Sequence, residues 1–149
     1  MTPYRPQYAY PTPKGFRDEQ FHYSFDGFNT PLLNQNVAAN STIANIPLVL
    51  QTDAPFLMRG IKVSPQVKSQ LLIQFKDPWG NYLSTGLLPI ALYASPPGGS
   101  YVGYPPLIFE PEIKCPIGGV WWVWLQNGTN GALAAPEISF YGVKRYRDQ

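Results

Sequence analysis

The feature that most constrains this chain is its punctuation. Its 149 residues include 17 prolines and 13 glycines. These break the sequence into segments of roughly 8–15 residues, too short to sustain an apolar period of 3.6. Beyond the N-terminal region no convincing helix is left. The segments between the breaks read as strands. In FHYSF (21–25), Phe21, Tyr23 and Phe25 alternate onto one face. TIANIPLVLQ (42–51) is apolar with one internal proline, which places it at a sheet edge or at a bulge. PFLMRGIKV (55–63), SQLLIQFK (69–76), GLLPIALYA (86–94) and PLIFEPEI (106–113) follow. GVWWVWLQNG (119–128) and PEISFYGVKRYR (136–147) complete the set. The turns between them are DPWGN (77–81), SPPGGS (95–100), CPIGG (115–119) and NGTNG (127–131). About eight short strands with Gly/Pro turns predict an all-β chain, a β-sandwich of jelly-roll-like layout. An immunoglobulin-like sandwich fits less well, because the Cys…Trp…Cys framework is missing.

Residues 1–20 differ from the rest. Pro3, Pro6, Pro11 and Pro13 recur with Tyr4, Tyr8 and Tyr10 between them. Proline fixes φ and cannot donate to a ladder, so the segment reads as an extended arm, partly polyproline II. Disordered tails are poor in aromatics, and these tyrosines predict docking into grooves of a partner. The domain reading is therefore an arm over 1–20 and a single sandwich over 21–149.

The strand at 119–128 poses a problem of coverage. Alternation puts Val120, Trp122 and Trp124 on one face and Trp121, Val123 and Leu125 on the other. Both faces are large and apolar, whereas a sheet with one wet face alternates apolar with polar residues. One face belongs to the core, and the other needs a cover from a partner chain, a neighbour's arm or a loop of the same chain. Composition points the same way. Charged residues are only 13% of the chain and aromatics 15%, against about 25% charged in ordinary domains. Surfaces buried between chains are enriched in aromatics and depleted of Lys, Glu and Asp. The expected state is a homo-oligomer or a subunit of a larger assembly. In FKDPWGNYLSTG (75–86), Trp79 and Tyr82 flank a turn with positive φ expected at Gly80-Asn81. They are candidates to stack on a sugar, pack on a neighbour or fold over the sandwich edge. The candidate interface residues are thus Tyr4, Tyr8, Tyr10, Trp79, Tyr82, Trp121, Trp122 and Trp124.

The search for chemistry yields no catalytic, cofactor-binding or metal-binding residue. His22 is the single histidine, so zinc sites of the His-rich or Cys/His type cannot be assembled. A Cys–His nucleophile pair would have to be His22 with Cys115. Glu110 and Glu112 read as two solvent-facing residues. No phosphate loop, dinucleotide fingerprint or calcium loop is present. A net charge of +2 gives no reason to expect nucleic acid or a membrane as partner. Lys144, Arg145 and Arg147 are expected to serve solubility or to pair with an acidic neighbour. The lone Cys115 fits a reducing compartment, and no secretory signal or membrane span is read. The sequons at Asn40 and Asn127 are then chance matches.

Two stretches carry a resemblance. TDAPFLMRGIKV running into LLIQFKDPWGNYLS, and CPIGGVWWVWLQNGT leading into ISFYGVKRYR, resemble small β-sandwich structural proteins of tailed-bacteriophage virions. Head decoration or cement proteins of jelly-roll type are the comparison. The resemblance implies a virion location, assembly in the host cytoplasm, self-association, binding to the major capsid protein or another virion subunit, and no catalysis. It transfers no functional residues. The alternative reading is a carbohydrate- or receptor-binding β-sandwich, or another neck, tail or capsid component.

Overall fold

A computed structural model describes residues 12–26, Thr30, Leu33, 36–63, 70–90 and 107–148, and of 107–110 the backbone alone. The described residues contain ten strands and no α-helix: β1 (Phe16–Phe25), β2 (Asn36–Val37), β3 (Ser41–Val49), β4 (Phe56–Val63), β5 (Leu71–Lys76), β6 (Leu88–Pro89), β7 (Leu107–Cys115), β8 (Val120–Asn127), β9 (Leu133–Ala134) and β10 (Ile138–Arg147). They form the expected all-β sandwich. One sheet has the order β1-β10-β4-β7, the other β3-β8-β5-β6, and β2 with β9 makes a small ribbon. All pairings are antiparallel.

The pairings nest. β5 pairs with β6, β4 with β7, β3 with β8, β2 with β9 and β1 with β10. The chain is one long antiparallel hairpin, folded over so that β10 also meets β4 and β8 also meets β5. The two inner faces bury one continuous cluster that includes Tyr23, Phe56, Ile61, Phe75, Trp121 and Phe140. Trp121 has no exposed surface and packs on Phe140 across the sheets, with ring centroids 5.2 Å apart.

Local chemistry explains the irregular places. Pro47 lies in β3, an edge strand, where a missing N–H does least harm. The pairing of β3 shifts between Ile43 and Ile46, around Asn45 at φ 56°. β10 shifts register between Tyr141 and Gly142. A Cβ on Gly142 would lie 2.0 Å from the Leu57 carbonyl oxygen, so only glycine lets β4 approach there. Asn127 closes the end of β8. Its Nδ2 donates to the carbonyls of Val37 and Gly131 at 2.9 and 2.8 Å, and its Oδ1 accepts from the N–H and hydroxyl of Thr129 at 2.9 and 2.7 Å. A fully buried amide with every polar position used is a structural clamp, as expected of a chance sequon.

β1 begins five residues earlier than the proline pattern implied. A turn from Pro13 to Phe16, with Gly15 at φ 86°, ends the proline-rich run. Residues 16–20 then pair with 143–147 of β10, and cross-strand pairing overrides the compositional boundary at 20. Tyr4, Tyr8 and Tyr10 lie outside the described residues. Of the expected strand at 86–94, Leu88–Pro89 pairs with β5, and residues from 91 on lie outside the described set.

Candidate docking face and aromatic corner

Register places the face in question. Trp121, Val123 and Leu125 are fully buried in the core, while Val120, Trp122 and Trp124 are half-buried on the opposite side. Trp121 therefore drops out as an interface residue, because alternation points it at Phe140. Across the outer surface, Trp122 sits between Pro47 of β3 and Lys76 of β5, Trp124 lies beside Gln74, and Val120 beside Val49. Val49 is 57% exposed. The middle of this outer face is apolar, with Lys76 and Gln74 along one side.

The loop after β5 extends the face. Asp77 Oδ1 accepts from the backbone N–H of Trp79 at 2.9 Å and of Asn81 at 2.8 Å. The backbone closes the same turn, with Gly80 N–H donating to the Asp77 carbonyl and Asp77 N–H to that of Asn81. Gly80 alone supplies the positive φ, 89°; Asn81 does not. A short aspartate that tolerates a tight turn explains why the loop folds this way. Its side chains face water: Trp79 is 55% and Tyr82 51% exposed, so Trp79 is not folded over the sandwich edge. The Tyr82 ring lies 5.6 Å from that of Trp124. The Lys76 ammonium sits 5.6 Å from the Tyr82 ring centroid and 6.0 Å from that of Trp124, within cation–π range. Tyr82, Trp124 and Lys76 thus form one aromatic corner, and Trp79 stands exposed three residues before Tyr82 on the same pinned loop.

Two members of the basic C-terminal cluster, Lys144 and Arg145, pair within the chain. Lys144 is buried with its ammonium bonded to Gln51 and to both Asp53 oxygens at 3.0 Å. It also lies 3.8 Å from the centre of the Phe21 ring. Lys144 and the hydroxyl of Tyr146, which donates at 2.9 Å, hold the Asp53 carboxyl below its usual range. Sequence reading missed this cage, since its members come from β10, β1 and the β3–β4 loop. Arg145 forks onto Asp18 at 2.8 and 2.9 Å, and this bond depresses the Asp18 pKa. Arg147 lines an open groove of ≈ 710 Å³ with Phe16, Arg17, Asp53, Ile117 and Tyr146.

The remaining titratable candidates are separated. His22 is exposed on β1, and Cys115 is buried on β7. Those strands are opposite edges of one sheet, three strand spacings or about 14 Å apart, so they form no nucleophile pair. Burial pushes the Cys115 thiol up to about 11, against a weaker opposing pull from the Trp121 indole, whose N–H finds no acceptor of hydrogen-bonding geometry. Glu112 is not solvent-facing as expected. It pairs with Arg59 at 3.2 Å, with side chains 8% and 14% exposed, because the register that sets Met58 opposite Ile113 brings the next residues, Arg59 and Glu112, side by side. The side chain of Glu110 lies outside the described residues. Among those residues no three His, Cys, Asp or Glu side chains gather as a metal site.

Compared with known proteins, the chain matches no family model and no curated protein.

Proposed function

We propose that this protein is a non-enzymatic structural subunit that docks onto a larger protein assembly through the outer face of its β3-β8-β5-β6 sheet. The observation that carries the reading is the second face of β8. Trp122, Trp124 and Val120 lie outside the core yet are apolar, and Val49, Trp79 and Tyr82 continue them at more than half exposure. Apolar patches of this kind mark contact sites. The nested strand order supports reading the sandwich as a jelly roll, with pairs 1–8, 2–7, 3–6 and 4–5 when the two-residue β2–β9 ribbon is set aside. Together with the sequence resemblance, this favours a decoration or cement protein of a tailed-phage head, bound to the major capsid protein or another virion subunit.

The test is co-sedimentation of the purified chain with capsids assembled without it. Trp122→Ala should weaken binding at least tenfold while the fold is retained, as aromatic anchors do at interface centres. Unchanged binding would remove this face from the proposal. The exposure of Trp79 beside Tyr82 favours one rival, a glycan-stacking module. Binding of oligosaccharides but not of capsids would select it.

A further inference from the structure

We infer that the corner of Tyr82 and Trp124, with the exposed Trp79 on the same loop, receives the proline- and tyrosine-rich segment 3–11 of a second copy of this chain. The inference rests on the assembly reading above and names an occupant for part of its docking face. Segment 3–11 reads PYRPQYAYP and includes Pro-x-x-Pro at 3–6. Such sequences favour polyproline II, whose backbone makes no internal hydrogen bonds. They dock into surfaces lined with aromatic rings, because the extended form is already ordered.

The corner is chemically complementary to such a segment. Proline has no N–H, so a proline-rich backbone presents an excess of carbonyl acceptors. Tryptophan nitrogen and a lysine ammonium are donors only; Trp124 and Lys76 stand together here, and Trp79 is exposed on the adjoining loop. The Asp77 turn fixes the Trp79 backbone in advance, which lowers the ordering cost of binding. Position argues for a second copy. The Pro13–Phe16 turn folds the preceding chain back, and Thr12 donates to Asp18 Oδ2 at 3.0 Å. Asp18 pairs with Arg145 on the outer side of the β1-β10-β4-β7 sheet. Thr12, where the described chain begins, therefore lies along the sheet opposite the aromatic corner. Eleven residues of polyproline II span about 34 Å, enough to cross onto a neighbour.

Two full-length variants test this by sedimentation equilibrium. One is Trp79→Ala/Tyr82→Ala, the other Tyr4→Ser/Tyr8→Ser/Tyr10→Ser, with circular dichroism as the check on folding. Each should self-associate at least tenfold more weakly than the unaltered chain. An equimolar mixture should form a complex that neither forms alone, because one variant keeps the segment and the other keeps the corner. If both variants associate as the unaltered chain does, the inference fails. It also fails if each loses association and mixing restores nothing. Cellohexaose or maltohexaose shifting the emission of the tyrosine variant would assign the corner to a glycan and overturn it. Should the double-alanine variant misfold, Tyr82→Ser alone replaces it with the same expected outcomes. Capsid binding retained by both variants, with self-association unchanged, would remove this inference and leave the assembly reading in place.

Discussion

The two outer faces of the sandwich are built from the same kind of strand and finished in opposite ways. Outside β1-β10-β4-β7, Asp18 pairs with Arg145 and Arg59 with Glu112, their side chains 8–14% exposed. Between these strands Leu57 and Val143 are nearly buried although they point away from the core. Outside β3-β8-β5-β6, Trp122, Trp124, Val120 and Val49 lie in the corresponding positions, and Lys76 is the one charged residue placed among them by the pairings described. A sheet can finish its outer surface with its own ion pairs or leave it apolar. This chain does both, one on each side.

The comparison can be broken first on β8 itself, where adjacent tryptophans serve different faces. Trp121→Ala should cost about 3–5 kcal/mol of folding stability, as deletion of a fully buried large side chain does. Trp122→Ala should cost clearly less in folding and act mainly on association. Urea denaturation of both variants decides it, and equal losses would erase the distinction between faces.

On the ion-paired side, Arg59→Met should destabilise the fold by about 2 kcal/mol, because it strands a nearly buried carboxylate. Adding Glu112→Leu should recover most of that loss, since a mutually apolar pair leaves nothing unsatisfied. If the double variant is as unstable as the single, the pair does more than satisfy itself.

Asp18 gives a pH-dependent version of the same test. Its bond to Arg145 lowers its folded pKa, so the stabilisation is present above the unfolded pKa and is lost as pH falls through the lowered value. Asp18→Asn should therefore cost about 1 kcal/mol at pH 5–8. The gap to the unaltered chain should close as the pH falls below about 4. A gap that persists in acid would mean that the amide perturbs packing instead.

The smallest effect is expected at the corner. Trp79→Ala should change folding stability by no more than about 0.5 kcal/mol, as exposed substitutions do. It should nonetheless remove the tryptophan emission most accessible to acrylamide in the dilute chain. If quenching is unchanged, Trp79 is covered in solution.

The sequence by itself determined the class of fold and the existence of a second apolar face. Prolines and glycines at short spacing exclude long helices whatever the tertiary context, and alternation at 120–125 follows from strand geometry alone. Pro47 was likewise legible as an edge or bulge residue, because the constraint lies in its own ring. Tertiary structure decided which face of β8 is core: Trp121 and Trp122 are the same residue type on adjacent positions, and only the presence of Phe140 across the sandwich distinguishes them. It also started β1 at Phe16, since pairing with β10 outweighs local composition. The partners of Lys144, Arg145 and Glu112 were invisible in the sequence for a related reason. Asp53, Asp18 and Arg59 lie 91, 127 and 53 positions away, and such distant charges meet only when the long hairpin closes and, for Lys144 with Asp53, folds over on itself.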